Sequence, residues 1–136
     1  MNKEFIPYEQ ALALKGLGFD EPCFAFYNER QTLLSDMTFG FEEADFLYTQ
    51  YDMDKAQCIA PLYQQAFRWF RDKKLSDACV CRYQGRDDGG VYYYYNITID
   101  FGIEETRHFK EGFFTHEEAE LACLKKLIKL LTPTQL

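Results

Sequence analysis

Residues 91–101, VYYYYNITIDF, contain four consecutive tyrosines and then alternate between apolar and polar side chains from Tyr95 to Phe101, and this pattern restricts the fold more than any other feature. Successive side chains of a β-strand point to opposite faces, so a regular apolar alternation predicts a long, half-buried strand. The odd-numbered residues form the expected core face. Tyr92 and Tyr94 fall on the other face, where the favoured interpretation is that the N-terminal hairpin or the long loop covers them, and the alternative is that they serve as binding residues. The core face is expected to contain Val91, Tyr93, Tyr95, Ile97, Ile99 and Phe101.

Neighbouring segments predict partners for this strand. ACVCRYQ at 78–84 reads as a preceding strand, and GRDDGG between the two strands contains the glycines that a hairpin turn requires. ETRHFKE at 105–111 follows Gly102 and is expected to return as a third strand.

Two helices are predicted on either side of these strands. PLYQQAFRWFRDKK at 61–74 places its apolar and aromatic residues within one arc of a helix. THEEAELACLKKLIKLL at 115–131 begins with a capping box formed by Thr115 and Glu118. Acidic residues in its first turns and lysines near its end match the helix dipole.

The N-terminal part predicts a helix followed by a hairpin. PYEQALALKGLGF reads as a helix with Tyr8, Ala11 and Leu12 on one face, and strands are expected at 23–27 and 31–34.

The predicted fold class is therefore α+β: an antiparallel sheet with helices on one face, in the order α-β-β-(long loop)-α-β-β-β-α. Residues 1–136 are expected to form a single domain. Its parts are an α-β-β segment at 1–34, a long aromatic and acidic loop at 35–60, and an α-β-β-β-α segment at 61–131.

Composition restricts the partners. The net charge is −7 and the isoelectric point is about 4.8, which makes nucleic acid an unlikely partner because phosphate repels acidic surfaces. Five cysteines, no signal-peptide pattern and no membrane-length apolar run predict a cytoplasmic protein with free thiols and no membrane contact.

The 61–131 segment resembles the double-stranded RNA-binding domain in its α-β-β-β-α order. The resemblance rests on the first helix, the glycine-containing hairpin loop, the long middle strand and the alanine-containing last helix. It implies RNA docking at the start of that last helix, where such domains carry lysines. Here the same place reads THEEAE, and its acidic residues would repel phosphate.

YEQALALKGLGFDEPC, YQQAFRWFRDK and EEAELACLKKLI resemble segments of small uncharacterised proteins of Bacteroidetes phages and prophages. This similarity implies an origin in a mobile element, and it supplies no catalytic or binding residue.

Cys79 and Cys81 form a C-x-C pair on a predicted strand, so both thiols point to the same face. Together with His108 or His116 they are candidate zinc ligands. Without a second cysteine pair, the favoured interpretation is two small buried residues and no metal or other cofactor.

The favoured function is a non-enzymatic protein–protein interaction module, interpreted as a phage or mobile-element accessory protein, with Tyr92 and Tyr94 as candidate binding residues and no catalytic residue. A homo-oligomer remains open. The alternatives are a nucleic-acid module of double-stranded-RNA-binding type and a small-ligand-binding protein. The nucleic-acid alternative would use four basic residues: Lys73, Lys74, Arg82 and Arg86.

Overall fold

The computed structural model of the chain describes residues 4–35, 47–100, 102 and 104–133. The described residues contain three α-helices and two three-stranded antiparallel sheets, which confirms the α+β class. Strands and helices follow the chain in this order: α1 (Tyr8–Gly16), β1 (Ala25–Tyr27), β2 (Leu33–Ser35), β3 (Cys58–Ala60), α2 (Tyr63–Lys74), β4 (Ser76–Gln84), β5 (Val91–Asp100), β6 (Glu105–Phe113) and α3 (His116–Leu131).

The chain divides into two compact units, Met1–Gln65 and Ala66–Leu136, and the division falls inside α2. The first unit contains α1 and a small sheet in the order β2-β1-β3. Its buried core includes Ile6, Leu14 and Phe19. The hydroxyl of Tyr27 donates a 2.6 Å hydrogen bond to the carbonyl oxygen of Ile6, which ties the first sheet to the segment before α1.

The second unit is built on the sheet β4-β5-β6, with α3 packed against all three strands. In β5 the buried residues are Tyr95, Ile97 and Ile99, at every second position, as the alternation predicts. Of the other predicted core residues, Val91 is exposed and Tyr93 is half-buried, because both lie at the hairpin end of the strand. Phe101 lies outside the described residues. The alternating pattern therefore predicts the inner face of β5 correctly where the strand runs under α3.

The start of α3 follows the predicted capping box, with one difference in its partners. Oγ1 of Thr115 accepts a 3.1 Å hydrogen bond from the amide of Glu118. The carboxylate of Glu118 accepts from the amide of Phe114, at 3.3 Å, rather than from Thr115. Two amides at the helix start are thus satisfied by side chains.

Three details differ from the sequence-based expectations. The strands form two sheets instead of one, and β3 lies inside the segment 35–60 that was predicted to be loop. All three residues of β3 are buried, so this short strand has no polar alternation by which it could be recognised. Residues 36–46 of the predicted loop lie outside the described residues. In α1 the buried residues are Ala11 and Leu14, and Leu12, which was predicted to share the packed face, is exposed.

No helix among residues 4–35, 47–100 and 104–133 combines the length and the apolar character that crossing a bilayer requires.

Candidate functional site

The two faces of the β4-β5-β6 sheet differ sharply in their surroundings. One face carries Tyr95, Ile97 and Ile99, which are buried beside α3. Burial, and to a smaller extent the nearby thiol of Cys123 in α3, raises the pKa of Tyr95. The even-numbered residues of β5 from Tyr92 to Thr98 point the other way, and all of them are half-buried.

Tyr92 and Tyr94, the predicted binding residues, both lie on this second face, within a cluster of five rings that we call the aromatic face. Ring centroids of neighbours in the cluster lie 5.3 to 5.9 Å apart, which is the range of favourable aromatic pairs. Phe109 is 59% exposed and Phe114 72% exposed, so the cluster is open to solvent at these two rings. The aromatic face comprises Tyr83, Tyr92, Tyr94, Phe109 and Phe114.

The register of the sheet explains why these rings meet. Tyr83 of β4 lies directly opposite Tyr92, and its ring contacts both Tyr92 and Tyr94. Phe109 of β6 lies opposite Asn96, one position along the same face, and its ring reaches Tyr94. Cross-strand neighbours at this spacing touch when their side chains are large. The sequence pattern marks Tyr92 and Tyr94, whereas Tyr83 and Phe109 join them only once the strand register is known.

Tyr92 also stabilises the loop of the β4–β5 hairpin. Its hydroxyl donates a hydrogen bond to a carboxylate oxygen of Asp88, and the other oxygen accepts a 2.9 Å bond from the amide of Gly90. The tyrosine ring lies against the loop so closely that a Cβ added at Gly85 would come within 2.9 Å of Cε2. The hydrogen bond lowers the pKa of Asp88 and raises the pKa of Tyr92, because it favours a charged carboxylate beside a neutral phenol.

Tyr94 lies opposite Cys81 in the register. The pKa of Tyr94 is raised by a hydrogen bond between its hydroxyl and the Cys81 thiol, and also by the negative charge that Cys81 carries as a thiolate. Its hydroxyl therefore has a weaker partner than the carboxylate that holds Tyr92. Of the two predicted residues, Tyr94 is the one with no part in forming the hairpin loop.

The interpretation of Cys79 and Cys81 as two buried residues is wrong. Cys79 is exposed and Cys81 half-buried, because both lie on the open face of β4. Their sulfurs are 3.9 Å apart. Periodicity predicts correctly that the two thiols share a face, but whether that face is covered depends on the position of α3.

The two histidines lie elsewhere. His108 is opposite Ile97, on the side of the sheet that α3 covers. His116 packs edge-on against Tyr93, and its Nδ1 lies 3.5 Å from Oε1 of Glu120. The structure therefore does not bring either histidine to the Cys79–Cys81 pair. Among the residues described, no group of three or more His, Cys, Asp or Glu side chains is arranged to hold a metal ion.

Charged residues lie at the edges of the aromatic face. Asp77 of β4 and Arg107 of β6 both share the face and are exposed. Nε of Arg107 lies 3.5 Å from a carboxylate oxygen of Glu105, in an exposed ion pair. An apolar centre with a charged edge is the usual composition of a protein contact surface.

Two of the four basic residues of the nucleic-acid alternative, Lys74 and Arg82, lie far apart along the chain of the second unit. Lys74 ends α2, two residues before the start of β4, and its Nζ lies 5.5 Å from the ring centroid of Trp69. Arg82 lies six positions after the start of β4, about 20 Å away along the strand at the usual rise per residue. Phosphate binding at the start of α3 meets exposed Glu117 and Glu118 instead of lysines.

Comparison with known proteins returned no matching family model, no matching curated protein and no matching solved structure.

Proposed function

We propose that this chain is a non-enzymatic protein-binding module that contacts its partner through the aromatic face. The observation that carries the proposal is the contrast between the two sides of one sheet. Tyr95, Ile97 and Ile99 are buried on one side, while five rings on the other remain half-buried or exposed. Rigid aromatic side chains contribute large contact areas at a small entropic cost, and tyrosine is enriched among residues that dominate binding energy.

The position of Tyr92 and Tyr94 favours a preformed surface. Tyr92 is held by Asp88 and by the hairpin loop, and Tyr94 sits between the rings of Tyr83 and Phe109. Side chains that are already ordered lose little conformational freedom on binding. Among the five rings of the aromatic face, Phe109 and Phe114 carry the largest exposed fractions and are therefore the ones that a partner would bury most.

The charge of the chain indicates the kind of partner. The net charge of −7 favours a partner whose contact surface has a basic rim, and the aromatic face favours a partner surface with an apolar centre. The similarity to phage proteins adds a setting in which that partner is a host protein. This setting remains a prediction, independent of the geometry of the aromatic face.

Site-specific photocrosslinking tests the proposal. A photoreactive phenylalanine analogue is placed at Phe109 or Phe114, and at Phe24 as a matched control, because Phe24 is also exposed but belongs to the first unit. We expect one protein adduct in cell extract from positions 109 and 114 and none from position 24. The adduct should disappear when Tyr94→Ala is added to the position-114 variant. Equal adducts from all three positions, or none from 109 and 114, would refute the proposal.

Nucleic acid is the second candidate, because aromatic side chains on an open sheet can stack bases. Nuclease treatment of the same extract before crosslinking distinguishes the two candidates, because it removes a nucleic-acid partner and leaves a protein partner intact. A gel shift with single- and double-stranded RNA at low salt should show no retention if the partner is a protein. RNA retention that Tyr94→Ala abolishes would favour the second candidate.

The small-ligand alternative would use a pocket beside the 35–60 segment, of which residues 36–46 lie outside the described residues. It stays a prediction.

A further inference from the structure

Cys79 and Cys81 place two thiols side by side on the open face of β4. The sulfur of Cys81 lies 3.9 Å from that of Cys79, and both thiols are free. The other three cysteines, Cys23, Cys58 and Cys123, are buried. The pair is therefore the place in the described structure where thiols are both adjacent and reachable from solvent.

The distance between the sulfurs fits two ligands of one metal ion. Two metal–sulfur bonds of about 2.3 Å that meet at a tetrahedral angle hold their sulfurs about 3.8 Å apart. A disulfide would need the sulfurs at about 2.05 Å, closer than they lie in the structure. The observed separation of 3.9 Å already matches that of two sulfurs that share an ion.

We propose that Cys79 and Cys81 bind one thiophilic metal ion of the Zn²⁺ or Cu⁺ class as a bidentate dithiolate. Soft thiolate ligands select these ions over Mg²⁺ or Ca²⁺. Each thiol releases its proton to solvent as it binds, so one ion displaces two protons and no oxidant or reductant takes part. Water or an exogenous ligand completes the coordination, which makes the ion exchangeable.

The surroundings of the pair suit a cation. Asp77 precedes Cys79 by two positions on the same strand, so its carboxylate lies on the same face and is exposed. Tyr94 lies opposite Cys81 in the register, and Cys81 is half-buried. A nearby negative charge and the partial burial of one ligand both strengthen the attraction between a metal ion and thiolates. The inference does not depend on the proposed protein-binding function.

Titration with Cd²⁺, under a phosphine reductant, tests the inference through the ultraviolet absorption of cadmium–thiolate bonds. We expect saturation at one ion per chain in the wild type, with release of two protons. Each single variant, Cys79→Ser and Cys81→Ser, should bind about a hundredfold more weakly, because the second ligand no longer acts at high effective concentration. The double variant should show no thiolate absorption.

Thr98→Ala is the matched control, since Thr98 lies on the same face but outside the pair, and its binding should equal that of the wild type. Fluorescence of Trp69, the single tryptophan, reports whether each variant keeps the folded second unit. Undiminished thiolate absorption in the folded double variant would overturn the inference. Saturation at one ion per two chains, or no binding by the wild type at micromolar Cd²⁺, would overturn it as well.

Discussion

The buried cysteines Cys23 and Cys123 should resist alkylation in the native protein, while Cys79 reacts. Cys23 lies in the first unit and Cys123 in the second, so each reports on its own unit. Burial raises the pKa of each of these two thiols to about 12, from an ordinary value of 9.0. Since the thiolate is the reactive form, the shift alone lowers the reactivity of both cysteines.

The magnitude follows from the pKa values. At pH 8 a thiol with a pKa of 9.0 is about one-tenth thiolate, and one with a pKa of about 12 is about one part in ten thousand. The folded state therefore reduces the reactive fraction of Cys123 about a thousandfold, before its complete burial is considered. Alkylation of Cys123 must then proceed through local or global opening of the structure. Each further tenfold decrease in its alkylation rate corresponds to about 1.4 kcal/mol of opening free energy.

Pulsed alkylation with iodoacetamide at pH 8, followed by peptide mass spectrometry, measures the rate at each cysteine. Without denaturant, exposed Cys79 should be labelled first, although desolvation and the neighbouring Cys81 also raise the pKa of its thiol, and buried Cys123 should be labelled far more slowly. In a urea series, the concentrations at which Cys23 and Cys123 become labelled give the stability of the two units separately. Labelling of Cys123 within about tenfold of the Cys79 rate in native buffer would refute the reasoning, because burial would then not protect it.

The same shifts make the fold weaker in alkali. Between pH 9.0 and about 12 the unfolded chain loses the Cys123 proton while the folded chain retains it. The stabilisation is thus fully present below the unfolded pKa and is lost as the pH rises towards the folded value. We expect the free energy of unfolding to fall by about 1.4 kcal/mol per pH unit for each such thiol in this window, as measured by urea unfolding.

Three further substitutions test local features. Leu75 is exposed and has a φ of +51°, a left-handed conformation that strains a residue with a Cβ. Leu75→Gly should raise the free energy of unfolding, measured in urea, by about 0.5–1 kcal/mol, because the relief of this strain outweighs the added backbone freedom of glycine in the unfolded chain. Thr115→Ala should lower the thermal midpoint through the loss of about 1 kcal/mol from the α3 cap, whereas Thr115→Ser should retain it. Asp88→Asn should lower the pKa of Tyr92 towards its ordinary value of 10.0 in phenolate absorbance titrations, and Asp87→Asn should leave it unchanged.

Local patterns predicted those elements whose side chains repeat regularly. β5 and α3 lie where alternation and the capping box indicate, and the α2 residues Ala66, Trp69 and Phe70 are buried as the helical arc predicts. β3 was missed because three consecutive buried residues carry no periodicity. The packed face of α1 was misjudged because the helix is short and apolar on several sides, so that its neighbours decide which residue is buried.

The candidate site could be predicted only in part. The alternation of β5 assigns Tyr92 and Tyr94 to one face from the sequence alone, since the period of a strand is a local property of the backbone. The strand register brings Tyr83 and Phe109 beside these two residues. Because α3 packs on the opposite face, this face stays open, and Cys79 and Cys81 reach solvent. Register and layer packing arise from contacts between residues far apart in the chain, so only the tertiary structure determines them.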